Sequence, residues 1–69
     1  MVKFSTHYRA MQASEGRAYA DKQDYIVVRN GNDYGVVARA DYKLETHGYL
    51  HSISMYIGGA IITLHVRHD

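Results

Sequence analysis

The sequence predicts an α+β fold, with one N-terminal helix packed on a four-stranded antiparallel β-meander. Three observations point there. An alanine-rich stretch near the N-terminus reads as helix. Alternating apolar residues fill most of the rest. A Gly-Gly pair divides the last alternating stretch in two. Helix and strands lie in separate blocks, the order expected of α+β rather than α/β architecture.

The helix is expected over residues 5–22, where Ala10, Ala13, Ala18 and Ala20 stand among Arg, Met, Gln, Glu and Lys, all good helix formers. Ser5 is a candidate N-cap, and Tyr8, Met11, Ala18 and Tyr19 fall near one face. Gly16 weakens the helix by about 1 kcal/mol relative to Ala. Val2, Phe4, Thr6, Tyr8 and Ala10 also alternate, so the first few residues are candidates for an extended segment.

Residues 24–29 form a short β-branched run. The Asn30-Gly31-Asn32-Asp33 turn follows it, because Asn and Gly accept the backbone conformations that tight hairpins need. The loop length leaves open whether Tyr25 and Val27 or Ile26 and Val28 face inward. Next, Val36, Ala38, Ala40, Tyr42 and Leu44 alternate with Val37, Arg39, Asp41, Lys43 and Glu45. That pattern predicts a strand wet on one face.

After a turn at Glu45–Gly48, Tyr49–Ile57 and Ala60–His68 read as the last two strands. They are joined at Gly58-Gly59, which accept the positive φ of a two-residue hairpin loop. In that register Ile57 faces Ala60, Met55 faces Ile62, Ile53 faces Leu64 and His51 faces Val66. The coincidence of large apolar residues suggests that this side meets the helix. Between Glu45 and Arg67 there is no Asp, Glu, Lys or Arg.

A chain of 69 residues is expected to be a single small domain, 1–69. At that size only about 60% of the unfolded surface is buried, so folding benefits from added support. No Cys is present, which excludes disulfides and thiolate chemistry. Oligomerisation, most simply a homodimer, is the support that remains. A formal charge of +1 lacks the basic excess of a dedicated duplex-DNA binder. No secretory h-region and no stretch of roughly 20 apolar residues is apparent. A soluble, cytoplasmic protein with no membrane partner is expected.

Catalytic signals are sparse. Ser5, Ser14, Ser52 and Ser54 sit in no nucleophile elbow. The five His are His7, His47, His51, His65 and His68. His47 and His51 have i, i+4 spacing, but they fall on a loop and a strand, where that spacing loses its metal-binding meaning. No enzyme activity, cofactor or metal is expected.

The sheet side away from the helix is the expected binding surface. In this reading it carries Arg39 and Lys43 from the second strand, Leu50 and Tyr56 from the third, and Ile61, His65 and Arg67 from the fourth. Aromatic and Arg side chains are enriched in protein interfaces. The expected function is therefore non-enzymatic docking on a protein partner to inhibit or modulate it. Phage and other mobile-element accessory proteins of this size work that way. Single-stranded nucleic-acid or nucleotide binding through the same Tyr, Arg and His residues is the alternative. A structural or assembly role is the third.

Overall fold

The structure, a computed structural model, describes residues 2–66. The fold is α+β, with an antiparallel sheet and one long helix. The elements in order are β1 (Lys3–Phe4), α1 (His7–Asp21), β2 (Tyr25–Asn30), β3 (Asp33–Ala38), α2 (Leu44–His47), β4 (Tyr49–Ile57) and β5 (Ala60–His65). A single 3₁₀ turn, Arg39–Asp41, follows β3.

The sheet has five strands in the order β1-β3-β2-β4-β5, which corrects the four-stranded meander. The extra strand is the extended N-terminal segment, which pairs Lys3 with Gly35 and Phe4 with Tyr34. Nor do the strands follow one another as a meander. β4 pairs with β2, so the connection from β3 must cross over β2. The alternation from Val36 to Glu45 therefore stops being a strand at Ala38. There the chain bends through the 3₁₀ turn, pinned by the Arg39 amide donating to the Asp24 carbonyl at 3.0 Å. Arg39, Asp41 and Lys43 lie in this crossing segment and not on a sheet face.

The N-cap of helix α1 lies one residue later than expected. Thr6, not Ser5, is the N-cap, with its hydroxyl accepting from the Arg9 amide at 3.3 Å. This satisfies one of the amides that the first turn leaves unpaired. The helix ends at Asp21, and its C-cap, Lys22, adopts the left-handed conformation with φ 55°. Its buried stripe is Ala10, Ser14 and Ala18, spaced four apart on one side of a 3.6-residue helix. Tyr8 and Tyr19, grouped with Ala18 near one face in the sequence, are exposed, whereas Ala18 is buried.

Both two-residue hairpins form as the sequence indicates. Asn30 pairs with Asp33. Ile57 pairs with Ala60, Met55 with Ile62 and Ile53 with Leu64. Gly58 and Gly59 have φ of 56° and 87°, the positive values that a type I′ turn requires at both centres.

The helix lies on the opposite side of the β4–β5 hairpin from the one expected. The Ser14 hydroxyl donates to the Ser54 hydroxyl at 2.9 Å, and the Thr63 hydroxyl donates to the Glu15 carboxylate. Ser54 and Thr63 are cross-strand partners, so α1 covers the small polar side. By alternation the large aliphatic side faces away from it. Small residues on both surfaces, Ala10, Ser14 and Ala18 against Ser52 and Ser54, allow close packing there.

The core is Ala10, Ala18, Tyr25, Ile26, Val27 and Val28. β2 is central, and both of its faces are sealed. Tyr25 pairs with Ser54 and so shares the helix side, together with Val27. Ile26 and Val28 point the other way, beneath the segment that crosses β2 from 39 to 48. That segment is held closed by the Tyr42 hydroxyl donating to the Gly48 carbonyl at 2.7 Å.

Candidate functional site

The two sides of the β4–β5 hairpin present different chemistry. Away from the helix the hairpin is aliphatic. Ile57, Ile62, Leu64 and Val66 remain 53%, 45%, 51% and 40% exposed, and Ile53 and Met55 are half-buried between them. The crossing segment shields β2 but leaves β4 and β5 open. Single exposed aliphatics are ordinary; a contiguous group across two strands is a candidate interaction surface. No Asp, Glu, Lys or Arg occurs along these strands, so the group has no charge within it.

On the helix side, beyond the start of α1, a second group gathers. A register shift between Val27 and Val28 makes a bulge opposite His51. It leaves His51 on the same side as Ser52, under the first turn of α1. The His51 ring lies 5.1 Å from His7, 5.4 Å from Tyr34 and 6.0 Å from His65. Arg29 stands over the Tyr34 ring at 5.9 Å, and its Nε donates to the Gly31 carbonyl at 3.2 Å. Arg29, Gly31, Tyr49 and His51 line a cleft of about 400 Å³. Among the described residues, no three His, Asp or Glu side chains converge closely enough to hold a metal.

The residues singled out in the sequence do not form one face. Tyr56 and Ile61 are cross-strand partners on the helix side, and the Tyr56 amide donates to Asp24 at 2.9 Å. His65 shares that side but belongs to the imidazole group. Leu50 pairs with Val28 and faces away from the helix. Arg39 pairs with Asp24 at 2.9 Å, and Lys43 is exposed before α2. Arg67 lies outside the described residues.

Sequence reasoning missed Ile57, Ile62, Leu64 and Val66 as surface residues, because their alternation looks like that of a core strand. It also missed Arg29, Tyr34, His7 and Tyr49. They are brought together by pairing between distant segments and by a bulge with no Gly to mark it.

One further polar contact is electrostatically distinctive. The Tyr25 hydroxyl donates to the Asp21 carboxylate. That bond, together with burial and the negative charge of Asp21, holds the Tyr25 hydroxyl above its ordinary pKa. Arg17, 5.5 Å from the ring, acts in the opposite sense. The contact ties the end of α1 to the start of β2 and does not adjoin either candidate surface.

A scan against protein-family models finds no match, and searches of curated proteins and of solved structures find none either. Among the described residues, no helix is long and apolar enough to cross a membrane.

Proposed function

We propose that this is a non-enzymatic binding protein that docks on a protein partner through the aliphatic side of β4 and β5. It acts as a homodimer and modulates its partner, in the manner of phage or mobile-element accessory proteins. The observation that carries this reading is the group formed by Ile57, Ile62, Leu64 and Val66, each at least 40% exposed. Apolar side chains held on a rigid hairpin are desolvated at little entropic cost when a partner covers them, because the strands are already ordered.

The test is affinity capture with quantitative mass spectrometry, comparing the natural chain with Ile62→Lys and Arg39→Ala. Ile62→Lys should abolish a stoichiometric protein partner and leave the circular dichroism unchanged. Arg39→Ala should retain the partner. Full capture by Ile62→Lys would rule out this surface.

The imidazole and tyrosine group favours a second reading, binding of a single-stranded nucleic acid or nucleotide. Arg29, Tyr49 and His51 line one cleft and combine a cation with stacking surfaces. In that case oligonucleotide affinity should fall steeply with salt, and Arg29→Ala should weaken it while Ile62→Lys should not.

A further inference from the structure

The two edges of the sheet differ sharply. β1 closes one edge with only two residues and the exposed Lys3. Short charged edges of this kind resist pairing with another chain. β5 closes the other edge with six residues, Ala60–His65, and carries no charge, Pro or bulge. Among the described residues it pairs only with β4.

The register shows which backbone groups are left over. The Val66 amide donates to the His51 carbonyl at 2.9 Å. Residue 66 therefore directs its backbone groups to β4, and so do residues 64, 62 and 60. By the alternation of an antiparallel ladder, Ile61, Thr63 and His65 direct theirs to the free edge.

We propose that β5 pairs antiparallel with β5 of a second copy of this chain, about a two-fold axis through Thr63, to give a continuous ten-stranded sheet. Only registers that oppose outward-directed residues can form hydrogen bonds. Axes through Ile62 or Leu64 also satisfy that condition. The axis through Thr63, however, matches the whole of 60–66 with its symmetry mate. Ile61 then exchanges bonds with the partner's His65, and Thr63 with the partner's Thr63, giving about six new N–H···O bonds. On the aliphatic side Ile62 meets the partner's Leu64 and Leu64 meets the partner's Ile62. These are two of the most exposed apolar residues of the hairpin. Like charges directly opposed across the seam would be repulsive, and residues 60–66 carry no Asp, Glu, Lys or Arg; the Glu15 carboxylate bonded to Thr63 lies beside the axis on the helix side.

This pairing rests on the reading of the β4–β5 side as an interface and names a second copy as its first occupant. The joined sheets present one aliphatic surface, twice as wide, to any further partner.

The chain has no Cys, so Thr63→Cys introduces a unique thiol. Across the axis the two Cα atoms would lie about 5.5 Å apart, within disulfide reach. Mild oxidation should convert Thr63→Cys to a covalent dimer and leave Met55→Cys, which sits on the aliphatic face away from the edge, uncoupled. Hydrogen exchange on the natural chain checks the same point without a substitution. The amides of Ile61, Thr63 and His65 should exchange at least tenfold more slowly at dimer-forming concentration than on dilution. A Met55→Cys dimer without a Thr63→Cys dimer would show face-to-face packing; edge pairing would fall and the docking surface would stand. A natural chain that sediments as a monomer at all concentrations would also overturn edge pairing. Capture with Ile57→Lys, an exposed residue of the same aliphatic side on β4 and outside the paired segment 60–66, judges the docking surface independently.

Discussion

Ser14 on α1 and Ser54 on β4 meet hydroxyl to hydroxyl at 2.9 Å, and neither residue has any exposed surface. At β4 the helix therefore rests on the sheet through a polar contact between small side chains, while Tyr25 and Val27 of β2 supply the apolar part of the same side. A lone buried hydroxyl is costly, whereas a matched pair is nearly neutral. Ser14→Ala and Ser54→Ala should each destabilise by about 1–3 kcal/mol, and the double variant should recover most of that loss. Denaturant unfolding of the four proteins at one concentration measures the cycle. Strict additivity would mean that the bond does not couple the two elements. Among the described residues the hydroxyl of Ser52, also buried, has no hydrogen-bond partner, so Ser52→Ala should be neutral or mildly stabilising.

Leu64 and Ile26 look equally core-like in the sequence, yet Leu64 is 51% exposed and Ile26 is 2% exposed. In dilute, monomeric protein Leu64→Ala should cost less than about 1 kcal/mol, in the range of surface changes. Ile26→Ala should cost about 2–5 kcal/mol, because it empties a sealed site. Equal costs in the monomer would place Leu64 in the core and remove the exposed surface on which the docking reading depends.

Gly48 and Gly16 should respond oppositely to alanine. Gly48 has φ of 96°, and an added Cβ would lie 2.5 Å from the Arg29 carbonyl oxygen. That atom is backbone in the central strand and cannot move aside. Gly48→Ala should lose at least about 2 kcal/mol, combining left-handed strain with the clash. At Gly16 an added Cβ meets nothing within 4 Å, so Gly16→Ala should gain about 1 kcal/mol from helix propensity. Thermal unfolding distinguishes a fall from a rise.

Tyr25 sets an alkaline limit. Its hydroxyl is held above the ordinary value, first by the bond to Asp21 and then by burial and the charge of that carboxylate. The raised group ionises later in the folded chain than in the unfolded one. Its contribution is complete below the ordinary tyrosine range near 10. It is lost as pH rises from there through the folded value. Tyr25→Phe should flatten the stability profile above about pH 10, read from denaturant midpoints. An unchanged alkaline slope in that variant would show that another group is responsible.

The local code was strong where short-range geometry governs. Gly58-Gly59 between two alternating runs signalled a turn, and the turn fixed the partners Met55 with Ile62 and Ile53 with Leu64. Alanine content marked α1 to within two residues at its start and one at its end. The candidate binding residues were less legible. Tyr56, Ile61 and His65 share a side of the sheet as their alternation implies, but Leu50 was separated from them by the bulge at His51. Arg39 and Lys43 kept the period of a strand while lying in a segment that is not one. Period-two alternation reports which residues share a side, and it persists through any extended chain, paired or not.

By itself, then, the sequence determined the helix, both hairpin turns, the register between β4 and β5 and the absence of charge along their length. Tertiary structure decided which side of that hairpin the helix covers, because alternation is symmetric with respect to the two faces. Only the fit of Ala10, Ser14 and Ala18 against Ser52 and Ser54 breaks the symmetry. It also decided that β3 stops at Ala38. The pairing of β2 with β4 obliges the connecting chain to cross β2, where it seals Ile26 and Val28 and leaves Ile62 and Leu64 uncovered.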